Sequence, residues 1–152
     1  MIQIYIDADG CPVKNEVYKV AARFQLKVFV VANQRLKTPL DPLIDSIVVT
    51  GDFDAADNWI ADHAGSSDLV VTADIPLADR CLKKGATVLD PKGEEFTEDN
   101  IGSLMAGREL MGQLRDLGIV RGGPASRTKN DSSQFLSTMD RLIQKLKRRL
   151  KV

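Results

Sequence analysis

The fold is decided by Ile2-Gln3-Ile4-Tyr5-Ile6-Asp7-Ala8-Asp9-Gly10-Cys11-Pro12. Its first half is apolar at nearly every position and has isoleucine at positions 2, 4 and 6, which is typical of a strand buried on both faces of a parallel sheet. Two carboxylates follow at once, then a glycine suited to a turn and a proline suited to a helix start. Since open α/β sheets bind ligands beyond the carboxyl ends of their strands, we expect a site at this edge.

The rest of the chain repeats this alternation of short apolar strands and amphipathic helices. Further strands are predicted over 27–31, 47–50, 69–72 and 87–89, with helices between them. Five strands with right-handed crossovers predict a three-layer α/β/α domain around a central parallel sheet. We expect a single domain over 1–152, with a core over about 1–90 and a helical C-terminal extension over about 91–152. A Gly- and Ser-rich loop is predicted over 121–133, before a last helix with apolar residues at 4-3-4-4 spacing.

Composition narrows the class of protein. The chain has 152 residues, of which 43% are hydrophobic and 28% charged, so it can bury a sizeable core. It contains no apolar run long enough to span a membrane, and no pattern typical of a signal peptide, so we expect a cytoplasmic protein. Cys11 and Cys81 form no CxxC pair, and we interpret both as reduced thiols.

The charge is unevenly distributed along the chain. Residues 1–100 carry 17 acidic and 10 basic side chains, whereas residues 101–152 carry 4 and 11. This division suits an acidic, metal-attracting site beside a basic surface for a polyanion such as RNA; the alternative is that solvated helix faces simply differ. If Arg121, Arg127, Lys129 and the basic residues over 145–151 contact RNA, truncation after Asn130 should weaken binding and leave the metal site intact.

Carboxylates are the chemical groups that recur at the predicted strand ends. They are Asp7, Asp9, Asp52, Asp54, Asp57, Asp74 and Asp79. Any one of them can be explained as a helix N-cap or as a first-turn acid. Together at one sheet edge they would repel one another unless a cation lay among them. Mg²⁺ or Mn²⁺ prefers such oxygen ligands, and two ions can activate water and stabilise the leaving oxygen in phosphodiester cleavage.

Several polar residues are candidates for substrate binding. Asn33 and Gln34 follow the second predicted strand and can either bind substrate or close a loop. Thr72 ends the fourth strand. Arg108 and Arg115 are seven residues apart on one helix face, where they can contact phosphate or form surface ion pairs.

Six motifs carry a specific resemblance. They are Asp7-Ala-Asp9-Gly-Cys11-Pro12, Val31-Ala-Asn33-Gln34, Phe53-Asp54-Ala-Ala-Asp57-Asn58, Asp68-Leu-Val-Val-Thr72-Ala-Asp74-Ile-Pro76-Leu77-Ala78, Lys84-Gly85-Ala86 and Gly122-Gly-Pro124. Through them nearly the whole chain resembles the uncharacterised bacterial YaiI/YqxD family, which in turn resembles the PIN-like nucleases. That resemblance implies strand order 3-2-1-4-5 and a Mg²⁺- or Mn²⁺-dependent ribonuclease site.

The resemblance also implies roles for individual acids. Asp7 matches the acid that closes the first strand, Asp57 the helix acid before the fourth strand, and Asp74 the acid that closes the fourth strand. These three are the implied catalytic residues and metal ligands. The further PIN acid, usually a Glu on an earlier helix, has no clear counterpart between residues 33 and 50. Three other acids are candidates to replace it as metal ligands: Asp9, Asp54 and Asp79.

Two alternative functions use the same residues. Asp7-x-Asp9-Gly10 after a strand resembles the haloacid-dehalogenase phosphatases, with Asp7 as nucleophile and Asp9 as acid/base. Gly51-Asp52 together with Asp57 resembles the metal-binding motif of those enzymes. Against this, Cys11 occupies a position where those enzymes place a hydroxyl residue or valine, and no lysine motif precedes Gly51. The other alternative is a PIN-like RNA-binding protein without catalysis.

Overall fold

The computed structural model describes residues 1–9, 11–52, 54–118 and 129–150. The predicted turn at Gly10 lies outside these residues, as does most of the loop predicted over 121–133; its last five residues belong to the final helix. In chain order, the elements are β1 (Gln3–Asp7), α1 (Lys14–Phe24), β2 (Lys27–Ala32), β3 (Ile44–Val48), α2 (Ala55–His63), β4 (Leu69–Val71), α3 (Ile75–Lys83), β5 (Thr87–Leu89), β6 (Glu95–Phe96), α4 (Glu98–Asp116) and α5 (Lys129–Leu150).

The strands form one sheet with the order β3-β2-β1-β4-β5-β6. The first five are parallel and confirm the predicted order, with β1 paired on both sides: Ile4 lies opposite Val28 of β2 and Leu69 of β4. The sequence did not predict β6, an antiparallel edge strand on β5. The third strand begins at Ile44, three residues before the predicted start, because an edge strand tolerates polar residues such as Ser46.

Alternate residues of β1 face two separate apolar layers, which makes the fold a three-layer α/β/α sandwich. Ile4 and Ile6 pack in a cluster with α1 and α5, whereas Tyr5 packs with α2, α3 and the start of α4. The strand period of two places successive side chains on opposite faces, and both faces are covered by helices. The prediction of a strand buried on both faces is therefore confirmed.

The last helix is an integral part of the core. Its buried side chains are Phe135, Met139, Leu142, Ile143 and Leu146, each no more than 2% exposed. They pack in the same cluster as β1 and α1, so the predicted amphipathic helix does dock on the sheet layer. A chain cut after Asn130 would lose all five side chains. The truncation therefore cannot test RNA binding in a folded protein, contrary to our expectation from the sequence.

The direction of α5 follows from its contacts at either end. Near its start, Gly93 of the β5–β6 turn has φ +90°, and a Cβ there would lie 2.9 Å from the Phe135 backbone nitrogen. Further along, the Lys147 ammonium lies 5.2 Å from the ring centroid of Phe24, the last residue of α1. The helix thus starts at the carboxyl edge of the sheet and runs parallel to α1. Within the described residues, no helix combines the length and apolarity needed to cross a membrane.

Candidate functional site

Four carboxylates meet at the carboxyl edge of the sheet, as the sequence predicted. Asp7 ends β1, Asp74 precedes α3 after β4, and Asp54 and Asp57 lie at the start of α2. Three of them, Asp54, Asp57 and Asp74, line one cavity of about 220 Å³. We call this the acid cavity; Asp7 lies close enough to raise the pKa of Asp57.

A buried threonine fixes two of these acids relative to each other. The Thr72 hydroxyl donates to Asp7 Oδ2 at 2.7 Å and accepts from the Asp74 N–H at 2.9 Å. Thr72 itself is 1% exposed. Both hydrogen-bonding roles of its hydroxyl are thereby used inside the protein. The structure thus shows Thr72 bridging two of the acids, and its predicted contact with substrate stays a prediction.

The pKa values of the acids reflect burial first and mutual repulsion second. Burial raises the pKa of Asp7, and the charges of Asp74 and Asp9 raise it further, whereas the hydrogen bond from Thr72 lowers it. Burial, followed by the charges of Asp7, Asp74 and Asp54, raises the pKa of Asp57 to about 6; the guanidinium of Arg80 acts in the opposite sense. These carboxylates therefore form one electrostatically coupled group.

The helix-cap explanation holds for one acid and fails for another. Asp74 is the N-cap of α3, and its Oδ1 accepts a hydrogen bond from the Leu77 N–H at 2.9 Å. Asp54 holds the N-cap position of α2 but makes no side-chain cap hydrogen bond. Asp54 lines the acid cavity instead. Capping thus accounts for one oxygen of Asp74 and leaves the placement of Asp54 unexplained.

Two predicted metal ligands have other partners. Asp9 accepts a hydrogen bond from the backbone N–H of Asn33 at 2.7 Å, which ties the end of β1 to the loop after β2. Asp79 forms an ion pair with Lys83 at 3.0 Å, one turn along α3. Neither lines the acid cavity. Asn33 and Gln34 are both exposed just beyond β2, and Asp52 is exposed before α2.

The structure distinguishes the two candidate arginines and adds a third. Arg108 lines the acid cavity, whereas Arg115 is exposed two turns further along α4 and does not. Neither takes part in an ion pair among the described residues. Arg80, which sequence reasoning missed, lines the cavity and donates to Asn58 Oδ1 at 2.8 Å. No spacing rule could have found Arg80, because the contact joins two different helices.

The donor chemistry of the acid cavity fits a hard divalent cation. Its acidic side chains offer carboxylate oxygens, which hard cations prefer. Burial raises the pKa of the neighbouring Cys81 thiol to about 11, which keeps this thiol protonated. Within the described residues, no three His, Cys, Asp or Glu side chains are grouped closely enough to enclose a metal ion. An ion here would be held by one or two carboxylates and water, which is the usual mode for Mg²⁺.

We expect Asp57→Asn to stabilise the metal-free protein at about pH 8 by several degrees in Tm. The pKa of Asp57 in the folded protein is about 6, above its ordinary value of 3.8. The ionised carboxylate therefore destabilises the folded protein fully above about pH 6 and not at all below about pH 4. The gain should therefore vanish as the pH falls through this window. Thermal melts in chelator at about pH 8 and about pH 4 measure this gain in Tm. Asp62→Asn is the control, because Asp62 is exposed on the same helix. An equal gain at both pH values would contradict the coupling.

The fold and the site define the chain as a mostly parallel α/β protein with an acidic site at the carboxyl edge of its sheet. The profile of the uncharacterized BCR, YaiI/YqxD family matches residues 5–145, and the chain belongs to this family. It is 51% identical over 147 residues to UPF0178 protein BRADO3147 of Bradyrhizobium sp. (strain ORS 278), covering 97% of this chain and 90% of the relative. It is 50% identical over 148 residues to a UPF0178 protein of Caulobacter sp. (strain K31), covering 97% and 98%. No solved structure matches the chain.

Proposed function

We propose that this chain is a divalent-metal-dependent ribonuclease that hydrolyses phosphodiester bonds at the acid cavity. The observation that carries the proposal is the gathering of Asp54, Asp57 and Asp74 around one cavity at the sheet edge, with Asp7 joined to Asp74 through the Thr72 hydroxyl. Such a cluster is unfavourable at neutral pH without a counterion, and functional sites are where such perturbed groups gather. Mg²⁺ or Mn²⁺ would relieve the repulsion and attract a phosphate.

Each cavity residue has a distinct task in this proposal. Asp7 and Asp74 would hold the cation together with water, and Thr72 fixes the orientation of Asp7 through the hydroxyl contact at 2.7 Å. When bound, the metal polarises the scissile phosphate and makes its bound water more acidic. With a pKa of about 6, Asp57 is suited to accept the proton of the attacking water near neutral pH. Arg108 is placed to balance the charge of the substrate phosphate.

The likeness to PIN-like nucleases supports the same assignment. It rests on Asp7, which closes the first strand, and on Asp74, which closes the fourth. The third acid is Asp57, on the helix between them. Of the three candidates to replace the further acid, Asp54 lines the acid cavity, whereas Asp9 and Asp79 are bonded elsewhere. Asp54 is therefore our choice for the fourth acid.

Metal binding provides the first test. Mn²⁺ at about one hundred times its Kd should stabilise the protein by roughly 2.7 kcal/mol, a rise in Tm of several degrees. Asp74→Asn should lose most of this rise, although asparagine remains a good cap. Asp79→Asn is the matched control, since Asp79 lies on the same helix but pairs with Lys83. Equal Mn²⁺-induced shifts in the wild type and Asp74→Asn would overturn the metal site.

Cleavage of RNA separates the proposed nuclease from its alternatives. Incubation with end-labelled oligouridine should give Mn²⁺-dependent shortening of the RNA. A protein that shows the Mn²⁺ shift and binds the oligomer without cutting it would be the RNA-binding alternative. Trapping of a phospho-aspartate at Asp7 would instead support the phosphatase.

A further inference from the structure

A second cavity lies on the face of the sheet opposite the acid cavity. It is a groove of about 790 Å³ between α1 and α5, and we call it the α1–α5 groove. The half-buried Leu136 lies at its floor above the buried Val20, while Lys19, Arg141 and Arg148 are exposed along it. The groove therefore combines an apolar floor with several cations.

The positive charge of the groove is not compensated from within. Among the described residues that line it, Asp140 is the only acid, and both its oxygens are engaged, one by Arg23 and the other by Gln144 Nε2 at 2.5 Å. Of the ion pairs formed among the described residues, none includes a cation from the set Lys19, Arg141 and Arg148. Guanidinium and ammonium groups beside an apolar surface suit a phosphate backbone whose bases pack between the phosphates.

We infer that the α1–α5 groove binds the backbone of single-stranded RNA as a second, metal-independent contact. The inference rests on the proposed function, because it names RNA as the occupant. A single strand is favoured over a duplex, since an unpaired base can pack against the half-buried Leu136. The groove thereby extends the substrate contact to a face of the protein that the acid cavity does not reach.

The direction of α5 makes this contact depend on RNA length. The helix runs toward the amino edge of the sheet, where Lys145 and Arg149 line another cavity with Thr87 at the start of β5. The amino and carboxyl edges of the sheet are roughly 17 Å apart, because a strand of five residues such as β1 spans that length. The acid cavity is lined from α2, α3 and α4 and the groove from α1 and α5, so an RNA that occupies both must be long enough to pass from one face of the sheet to the other.

The test compares two double variants of equal charge change on the same helix. Arg141→Gln with Arg148→Gln removes two groove cations, and Lys145→Gln with Arg149→Gln removes two cations that line the other cavity. Affinity for a long oligouridine is measured in chelator over a range of salt concentrations. The groove variant should lower the salt slope by about 1.4, or 0.7 for each lost contact, and the control variant should leave the slope nearly unchanged.

Two results would overturn the inference. Equal losses in both double variants would show that net charge acts at long range without a defined groove. Binding to phosphatidylserine vesicles that matches binding to oligouridine and falls equally in the groove variant would assign the groove to lipid. Both variants should keep the wild-type Mn²⁺-induced thermal shift, so a failure of the groove is distinguishable from a failure of the acid cavity.

Discussion

Phe135→Ala is expected to lower the free energy of unfolding by about 3–5 kcal/mol. Phe135 is fully buried in the cluster that α5 forms with α1 and the sheet. The Gly93 backbone packs directly against the backbone of Phe135. Removing the ring leaves a cavity that these neighbours cannot close. For a domain stabilised by roughly 5–15 kcal/mol, this is a large fraction of the total. Urea unfolding followed by circular dichroism measures the change.

The matched control for this substitution lies on the same helix. Leu150 is 46% exposed at the end of α5, and Leu150→Ala should change stability by no more than about 0.5 kcal/mol. A chain truncated after Asn130 should show no cooperative unfolding transition. If Phe135→Ala proved as mild as Leu150→Ala, α5 would be a dispensable extension and not the outer layer of the domain.

The central strands could be predicted because their sequences are continuous apolar runs. β1 and β4 are buried on both faces, so almost every residue carries the signal. The two-residue strand β6 gave no such signal, since it is too short to show a period. The predicted start of β3 lay three residues too far along the chain, because an edge strand does not need a continuous apolar run. Sequence patterns therefore revealed the interior of the sheet better than its edges.

The acids of the site were predicted as a set, but their individual contacts were not. Position after a strand places a carboxylate at the correct edge, yet it does not fix where the side chain points. Asp54 and Asp9 both follow strand ends, and only Asp54 lines the acid cavity. The Arg80–Asn58 hydrogen bond joins α3 and α2 and depends on how the helices pack. Such contacts arise from the tertiary structure alone.

The helical period likewise revealed that α5 docks, but not in which direction. The first four predicted positions, at 4-3-4 spacing from Phe135 to Leu146, are buried, whereas the fifth, Leu150, is 46% exposed. This pattern is the same whichever way the helix lies on the sheet. The packing of Gly93 against Phe135 and of Lys147 over Phe24 fixes the direction. The basic residues at the end of α5 consequently lie far from the acid cavity. The acidic and basic parts of the sequence therefore do not form adjacent surfaces on the folded protein.

Asp57→Asn is expected to reduce Mn²⁺-dependent cleavage of oligouridine by roughly 10²–10⁴-fold, the usual contribution of a positioned general base. Asparagine preserves the size of the side chain but cannot accept the proton of the attacking water. Single-turnover cleavage at saturating Mn²⁺ measures the effect, because saturation removes any contribution from weakened metal binding. The melting curve of the variant shows whether it is folded, and we expect it to be at least as stable as the wild type in chelator at neutral pH.

Asp62→Asn is the matched control, since it makes the same chemical change at an exposed position on α2. It should cleave at the wild-type rate. Wild-type cleavage by Asp57→Asn would place the proton acceptor on another residue, because a half-buried carboxylate with a pKa of about 6 would then have no part in the chemical step. A large loss confined to Asp57→Asn, at saturating metal and with the fold intact, is the result that a proton-acceptor role for Asp57 requires.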